Sequence, residues 1–138
     1  MLAMDYPAFD QTMNHGWRAL SDGLRCAVEA ANLIHEYRIT KNPTHPMLYW
    51  HEGQLRASAG EVREALPLME QSRSLAGSIP GWNELVDATI AFLRNDRAAF
   101  DKAHIAIDAV PQARFAQAVG KLSHCFGMSY MQALMCEK

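Results

Sequence analysis

Apolar residues recur along this chain at spacings of three and four, which is the period of a helix with one buried face. No segment shows the strict alternation or the Val/Ile/Thr-rich composition that indicates a strand. Glycine, proline and polar turn residues divide the pattern into seven or eight segments of helical length. The chain is therefore predicted to be all-α, with helices at about 7–21, 24–40, 46–59, 61–75, 83–94 and 97–109. A tail with a break near Gly127 and a short last helix follows them.

Local features add detail to these helices. Asp96 stands just before the helix at 97–109 and is predicted to cap it, because its carboxylate can accept hydrogen bonds from first-turn amides. The helix at 83–94 is apolar on nearly all sides, so we expect it to lie at the centre of the core. The tail after this pair carries one apolar stripe, formed by Phe115, Val119 and Leu122.

A weak internal repeat runs through the helical segments. In three places a small residue within a helix is followed seven residues later by a turn-forming or helix-ending residue: Gly16 and Gly23, Gly53 and Gly60, and Ala88 and Asn95. The small residue lets a second helix approach closely, and a Gly or Asn can adopt the left-handed backbone conformation that ends a helix. The spacing therefore predicts pairs of closely packed neighbouring helices.

The middle unit of this repeat resembles the tetratricopeptide (TPR) pattern of an aromatic residue, a glycine, a Gly-acid turn and an alanine. Its sequence is Tyr49-Trp50-His51-Glu52-Gly53, then Ala59-Gly60-Glu61, then Ala65. It departs from the pattern at Glu52, where Leu is favoured, and at Pro67, which should kink the helix at about 61–75 unless the turn relaxes.

The resemblance implies three TPR-like antiparallel helix pairs in a short right-handed solenoid, within a single domain spanning 1–138. The expected segments are a first pair at 8–43, a second at 46–76, a third at 82–110, and a C-terminal cap of one or two helices at 113–138.

The resemblance also implies a concave groove lined by the first helix of each pair. An apolar groove bearing all three tryptophans is suited to a peptide or partner helix. The groove residues are Met13, Trp17, Met47, Trp50, Gln54, Trp82, Leu85 and Phe92. Two alternatives stay open: the C-terminal helices fill the groove, or a second copy buries it in a homo-oligomer such as a homodimer. Because 47, 50 and 54 lack the Lys, Arg and Asn of carboxylate-clamp TPR domains, a clamp is not expected.

Composition narrows the class of partner and the compartment. The formal net charge is -2 and the pI about 6.3, without a basic run, so nucleic acid is not an expected partner. No stretch approaches the ~20 apolar residues of a membrane span, and the N-terminus lacks a signal-peptide pattern, so a cytoplasmic protein is predicted. The three cysteines, at 26, 125 and 136, are expected to be buried or idle thiols, not a disulfide framework.

No catalytic constellation emerges from the remaining residues. His51 lacks a second histidine four residues later, which a helical zinc site would need, and no Gly-x-Ser-x-Gly motif occurs. His124 and Cys125 are adjacent and point in different directions, so their grouping with Cys136 is not indicated by spacing. The acid pairs Glu61/Glu64 and Asp101/Asp108 have the spacing of solvated helix faces. We therefore predict a non-enzymatic interaction module without metal or cofactor; a small enzyme with a fold-assembled Cys/His site is the least favoured alternative.

Overall fold

A computed structural model describes residues 4–6, 10, 26–41 and 45–136 of the chain. Within these residues the regular secondary structure is entirely helical, which confirms the all-α prediction. The α-helices whose bounds fall within the described residues are α1 (Ala27–Lys41), α2 (Pro46–Ser58), α3 (Val62–Gln71), α4 (Trp82–Leu93), α5 (Arg97–Asp108), α6 (Ala113–His124) and α7 (Tyr130–Met135), and a 3-10 helix (Ser72–Gly77) follows α3. The first helix predicted from the sequence, at about 7–21, lies outside the described residues apart from position 10. The second helix of the predicted pair at 8–43 corresponds to α1.

The helix ends follow the local signals in the sequence. Pro46 occupies the first turn of α2, where a missing amide hydrogen costs nothing. Gly60, after α2, and Asn95, after α4, adopt left-handed conformations with φ of 85° and 56°. Asp96 accepts a hydrogen bond from the amide of Ala99 at 3.1 Å, so the predicted cap of α5 is confirmed.

The chain divides into two compact units, Met1–Ser72 and Arg73–Lys138. In the first unit, α2 packs against both α1 and α3. Its core joins Ile34 of α1 to Leu48 of α2, and neither side chain is exposed to solvent. The second predicted pair, at 46–76, thus corresponds to α2, α3 and the 3-10 helix, and it crosses the boundary between the units.

The contact between α2 and α3 depends on a glycine. A Cβ added at Gly53 would lie 3.0 Å from Cγ of Met69 and 3.4 Å from the carbonyl oxygen of Ala65, so the two backbones approach closely. Because Ala65 is fully buried, its small side chain completes the approach. The close helix contact predicted at this spacing is confirmed.

The C-terminal end of α3 differs from the sequence prediction. The helix expected at about 61–75 includes Pro67 and remains α-helical to Gln71, where it tightens into the 3-10 helix. Ser72 stabilises this transition, since its hydroxyl donates to the carbonyl oxygen of Met69 at 2.7 Å. The ring of Pro67 faces outward, at an exposed position.

The second unit is built around α4, which packs against α5 and α6, while α6 also contacts α5 and α7. Among the residues of α4, the most exposed positions are Asn83 and Asp87, so this helix is covered on most sides as predicted. The stripe on α6 is buried along its whole length. In the described part of the chain, no helix has both the length and the apolar character required to cross a membrane.

Candidate functional site

The predicted groove residues of the first unit occupy different environments. Met13 and Trp17 lie outside the described residues. Met47 and Gln54 are half-buried on α2, and Trp50 is buried, with 6% of its surface exposed. A side chain as enclosed as Trp50 presents little area to a partner in this conformation.

The predicted groove residues of the second unit are all buried: Trp82, Leu85 and Phe92. The ring of Trp82 meets the ring of Phe115 on α6 edge to face, with centroids 5.9 Å apart. Phe92 makes similar contacts with Phe126 at 5.6 Å and Tyr130 at 6.3 Å. The C-terminal helices and the loop between them therefore cover Trp82 and Phe92.

A buried ion network surrounds Glu52, the residue that replaces the Leu of the TPR pattern. Its side chain is 3% exposed. One carboxylate oxygen accepts from Nε of Arg38 at 3.0 Å and from Nη2 at 2.7 Å. The other lies 3.5 Å from Nη2 of Arg56 and 3.7 Å from Nδ1 of His35. The guanidinium of Arg38 also stacks over the ring of Tyr49 at 4.3 Å.

This network explains how a carboxylate can occupy a core position of α2. Two guanidinium groups, each on a side chain 13% exposed, supply the charge and hydrogen bonds that water would otherwise provide. Arg38 comes from α1 and Arg56 from α2, so Glu52 ties two helices together. We assign it a structural role, because its oxygens are directed to protein donors.

Three of the four acids in the pairs singled out from the sequence make polar contacts on the surface, and the fourth, Glu64, is exposed. These contacts are Glu61 with Arg56 at 3.1 Å, Asp101 with Arg97 at 2.9 Å, and Asp108 with His104 at 3.9 Å. Solvated polar contacts of this kind contribute little to stability, so these three acids need no catalytic explanation. His51 is half-buried, and its Nδ1 lies 2.6 Å from the carboxylate of Asp10, which is completely buried.

Two cysteines of the second unit form a disulfide, Cys125–Cys136, so the prediction of unpaired thiols is wrong for both. Cys125 directly follows α6 and Cys136 directly follows α7. The chain reverses between the two helices and brings the Cα atoms to 6.5 Å, within the range that a disulfide bridges. Cys26 is free, which agrees with the prediction.

His124 completes a compact group with these two cysteines. One ring nitrogen of His124 and the two sulfur atoms all lie within 4.8 Å of one another. The imidazole is exposed at the end of α6, whereas Cys125 is buried. The fold therefore brings together three side chains whose sequence spacing gave no such indication.

An apolar face lies on the outer side of α7 and of the short segment just before this helix. Tyr130 and Ala133 are buried on the inner side of this helix. Met128, Leu134 and Met135 are exposed, with Met135 at 67%, and Met131 is half-buried between them. We call Met128, Met131, Leu134 and Met135 the methionine face.

Both ends of α7 are fixed. At its start, the Ser129 hydroxyl accepts from the amide of Gln132 at 3.2 Å, and the Gln132 side chain accepts from the amide of Ser129 at 3.2 Å. This reciprocal pair is a capping box. At its end, the disulfide of Cys136 holds the chain to the end of α6. The methionine face is therefore displayed on a helix with little freedom to fray.

Sequence reasoning missed the disulfide, the His124 grouping and the methionine face. The six apolar residues in the range 128–135 were visible in the sequence, but which of them are exposed depends on which side of a six-residue helix faces the core.

Comparisons of the chain with protein-family models, with curated protein sequences and with solved structures returned no match.

Proposed function

We propose that this chain is a non-enzymatic protein-interaction module that binds an apolar helix or peptide of another protein through its methionine face. The observation that carries this proposal is the exposure of Met128, Leu134 and Met135 on a segment fixed at both ends. Isolated exposed apolar residues need no explanation, but several within one short segment mark a surface suited to a partner.

The chemistry of the face defines the partner. Methionine side chains are flexible and polarizable, so they adapt to apolar surfaces of different shape. Met128, Met131, Leu134 and Met135 include no charged group. The complementary surface is therefore an apolar stripe on a helix or extended peptide, not a phosphate or a carboxylate terminus.

The TPR-like arrangement is part of the same proposal. The close approach at Gly53 and the left-handed turns at Gly60 and Asn95 support helix pairs of that kind. Small-angle X-ray scattering tests the arrangement, because three stacked pairs in a solenoid scatter differently from a closed helical bundle. A curve fitted only by a closed bundle would contradict it.

Photo-crosslinking tests the site. A crosslinking amino acid at position 135 should capture a partner in native extract, whereas the same residue at position 105 should not. Ile105 is a matched control because it is exposed at 74% on α5, outside the methionine face. Mass spectrometry then identifies the crosslinked segment, which we expect to be apolar on one side.

Affinity measurement with the identified segment completes the test. Met135→Glu should weaken binding at least about tenfold, which is about 1.4 kcal/mol, and Ile105→Glu should leave it unchanged. Equal affinity of the wild type and Met135→Glu would refute the proposal. Crosslinks from position 135 to a second copy of this chain, with a dimer mass in light scattering, would instead establish the homo-oligomer.

A further inference from the structure

We propose that the reduced form of this chain binds a zinc ion through Cys125, Cys136 and His124. The three donor atoms already lie within 4.8 Å of one another in the disulfide form. The zinc-bound form would be a second state of the two cysteines that form the disulfide. None of the three ligands belongs to the methionine face, so this proposal does not rest on the interaction surface proposed above.

The donor set suits zinc. Zinc binds cysteine thiolates and neutral imidazole, and three protein ligands with a fourth position left to water are a known coordination pattern. On a tetrahedral zinc, sulfur and nitrogen donors lie about 3.5–3.8 Å apart, given bond lengths of about 2.3 and 2.0 Å. Side-chain rotation at Cys125 and Cys136 is enough to separate the sulfurs to that distance, because the Cα atoms lie 6.5 Å apart.

The position of the group gives the ion a route of entry. His124 is exposed and Cys136 is half-buried, while Cys125 lies in the interior. An incoming ion can therefore meet the imidazole and the Cys136 sulfur before the buried sulfur. The fourth position is expected to face solvent on the His124 side.

Conversion of the disulfide form to the zinc-bound form takes two steps, and atoms and electrons balance in each. A dithiol reductant supplies two electrons and two protons, the bond between the sulfurs breaks, and the reductant becomes a disulfide while Cys125 and Cys136 become thiols. Zinc then binds both sulfurs and His124, and the two thiol protons pass to solvent. No electron moves in the second step, because zinc is not redox-active.

Cobalt titration of the full chain tests the site. Protein reduced with a phosphine and then freed of it under inert gas should bind one Co²⁺ per chain, with the visible bands of tetrahedral cobalt and a thiolate charge-transfer band. Zinc should displace the cobalt and abolish the bands. The oxidised chain should show none of these signals.

Variants assign the ligands. Cys136→Ser and Cys125→Ser should lose the thiolate signal, and His124→Gln should weaken binding at least about tenfold. Cys26→Ser and His104→Gln are matched controls that should bind as the wild type does, since neither residue belongs to the group. Circular dichroism verifies folding, and Cys136→Ser decides the outcome if the buried Cys125→Ser variant fails to fold.

Hydrogen exchange supplies a second readout. Amides of α7 should exchange quickly in the reduced metal-free chain and slowly again when zinc is added, because the ion ties the ends of α6 and α7 together as the disulfide does. Absence of tetrahedral cobalt in the reduced wild type would overturn the proposal. Equal cobalt binding by the oxidised chain, or an equal loss of binding in the Cys26→Ser control, would also overturn it.

Discussion

Replacing Glu52 by leucine is expected to destabilise the first unit, although leucine is the residue that the TPR pattern favours there. The carboxylate is 3% exposed and pairs with Arg38 at 2.7 Å and Arg56 at 3.5 Å. Glu52→Leu would leave both guanidinium groups without this acceptor while they are largely out of water. Breaking a buried ion pair by removing one partner costs about 3–5 kcal/mol.

The lower end of that range applies to Glu52. Each arginine side chain keeps 13% of its surface exposed, so a guanidinium can turn partly toward water once its partner is gone. Arg56 also retains its contact with Glu61 at 3.1 Å. We therefore expect Glu52→Leu to lower the free energy of unfolding by about 3 kcal/mol.

A triple variant separates the charge effect from packing. Adding Arg38→Met and Arg56→Met to Glu52→Leu replaces the network by apolar side chains of similar length, which is often neutral or stabilising. The triple variant gives up the stacking of Arg38 on Tyr49, which is worth about 0.5–1 kcal/mol at an exposed site and more when desolvated. Its stability is expected to lie within about 2 kcal/mol of the wild type.

Urea denaturation followed by circular dichroism measures these changes, because urea does not screen charges as guanidinium chloride does. Hydrogen exchange of α1–α3 attributes the loss to the first unit. Asp101→Asn is the matched control, since it breaks an exposed pair with Arg97 and should cost no more than about 0.5 kcal/mol. A loss for Glu52→Leu as small as that of Asp101→Asn, or a triple variant no more stable than the single one, would refute the reasoning.

Three further predictions concern other parts of the structure. Gly120→Ala should add about 0.5–1 kcal/mol of stability, because this position on α6 has open space where the added Cβ would lie. Gly53→Ala should show no such gain, because its added Cβ would meet the buried side chain of Met69. Equal shifts in melting temperature for the two variants would contradict this. Reduction of Cys125–Cys136, with a sequence separation of 11, should lower the unfolding free energy of the second unit by about 3 kcal/mol, measured by urea titration with and without reductant; an unchanged midpoint would disprove it. Burial and the nearby carboxylates of Asp5 and Asp10 raise the pKa of Tyr37 above 10.0. The contribution of Tyr37 to stability should therefore be intact below pH 10.0 and be lost above it, so the unfolding free energy should fall more steeply at high pH in the wild type than in Tyr37→Phe. Parallel pH profiles of the two proteins would argue against this role.

The prediction for Tyr37 follows because its hydroxyl ionises at a lower pH in the unfolded chain than in the folded chain. In the unfolded chain Tyr37 loses its proton near its ordinary pKa, whereas in the folded chain the neutral form persists to higher pH. The unfolded state is therefore favoured progressively as pH rises from 10.0 to the folded pKa. In the folded chain the neutral hydroxyl also donates to the carbonyl oxygen of Met4 at 2.8 Å, a bond that ionisation removes.

Much of the helical framework could be predicted from the sequence because its signals are local. The cap at Asp96, the left-handed turns at Gly60 and Asn95, and the start of α2 at Pro46 each depend on residues within a turn or two of one another. Hydrophobic period likewise located the buried stripe on α6, because a helix with one apolar face has one way to bury it. Hydrophobic period could not by itself predict a groove, because an open groove also depends on which other elements cover the apolar faces of its helices.

The ion network of Glu52 and the group of His124 with the two cysteines were decided by tertiary structure, because their members are brought together by chain reversal. The partners of Glu52 on α1 include Arg38, which lies 14 residues before it in the sequence, and no spacing rule links the two. Cys125 and Cys136 meet only because α7 folds back toward the end of α6, and that reversal places His124 beside them. The sequence alone determined helical class, helix ends and the small-residue contact at Gly53. Which aromatic rings are covered, which acids are neutralised and which thiols meet depended on long-range packing, because burial is a property of the assembled helices and not of any one of them.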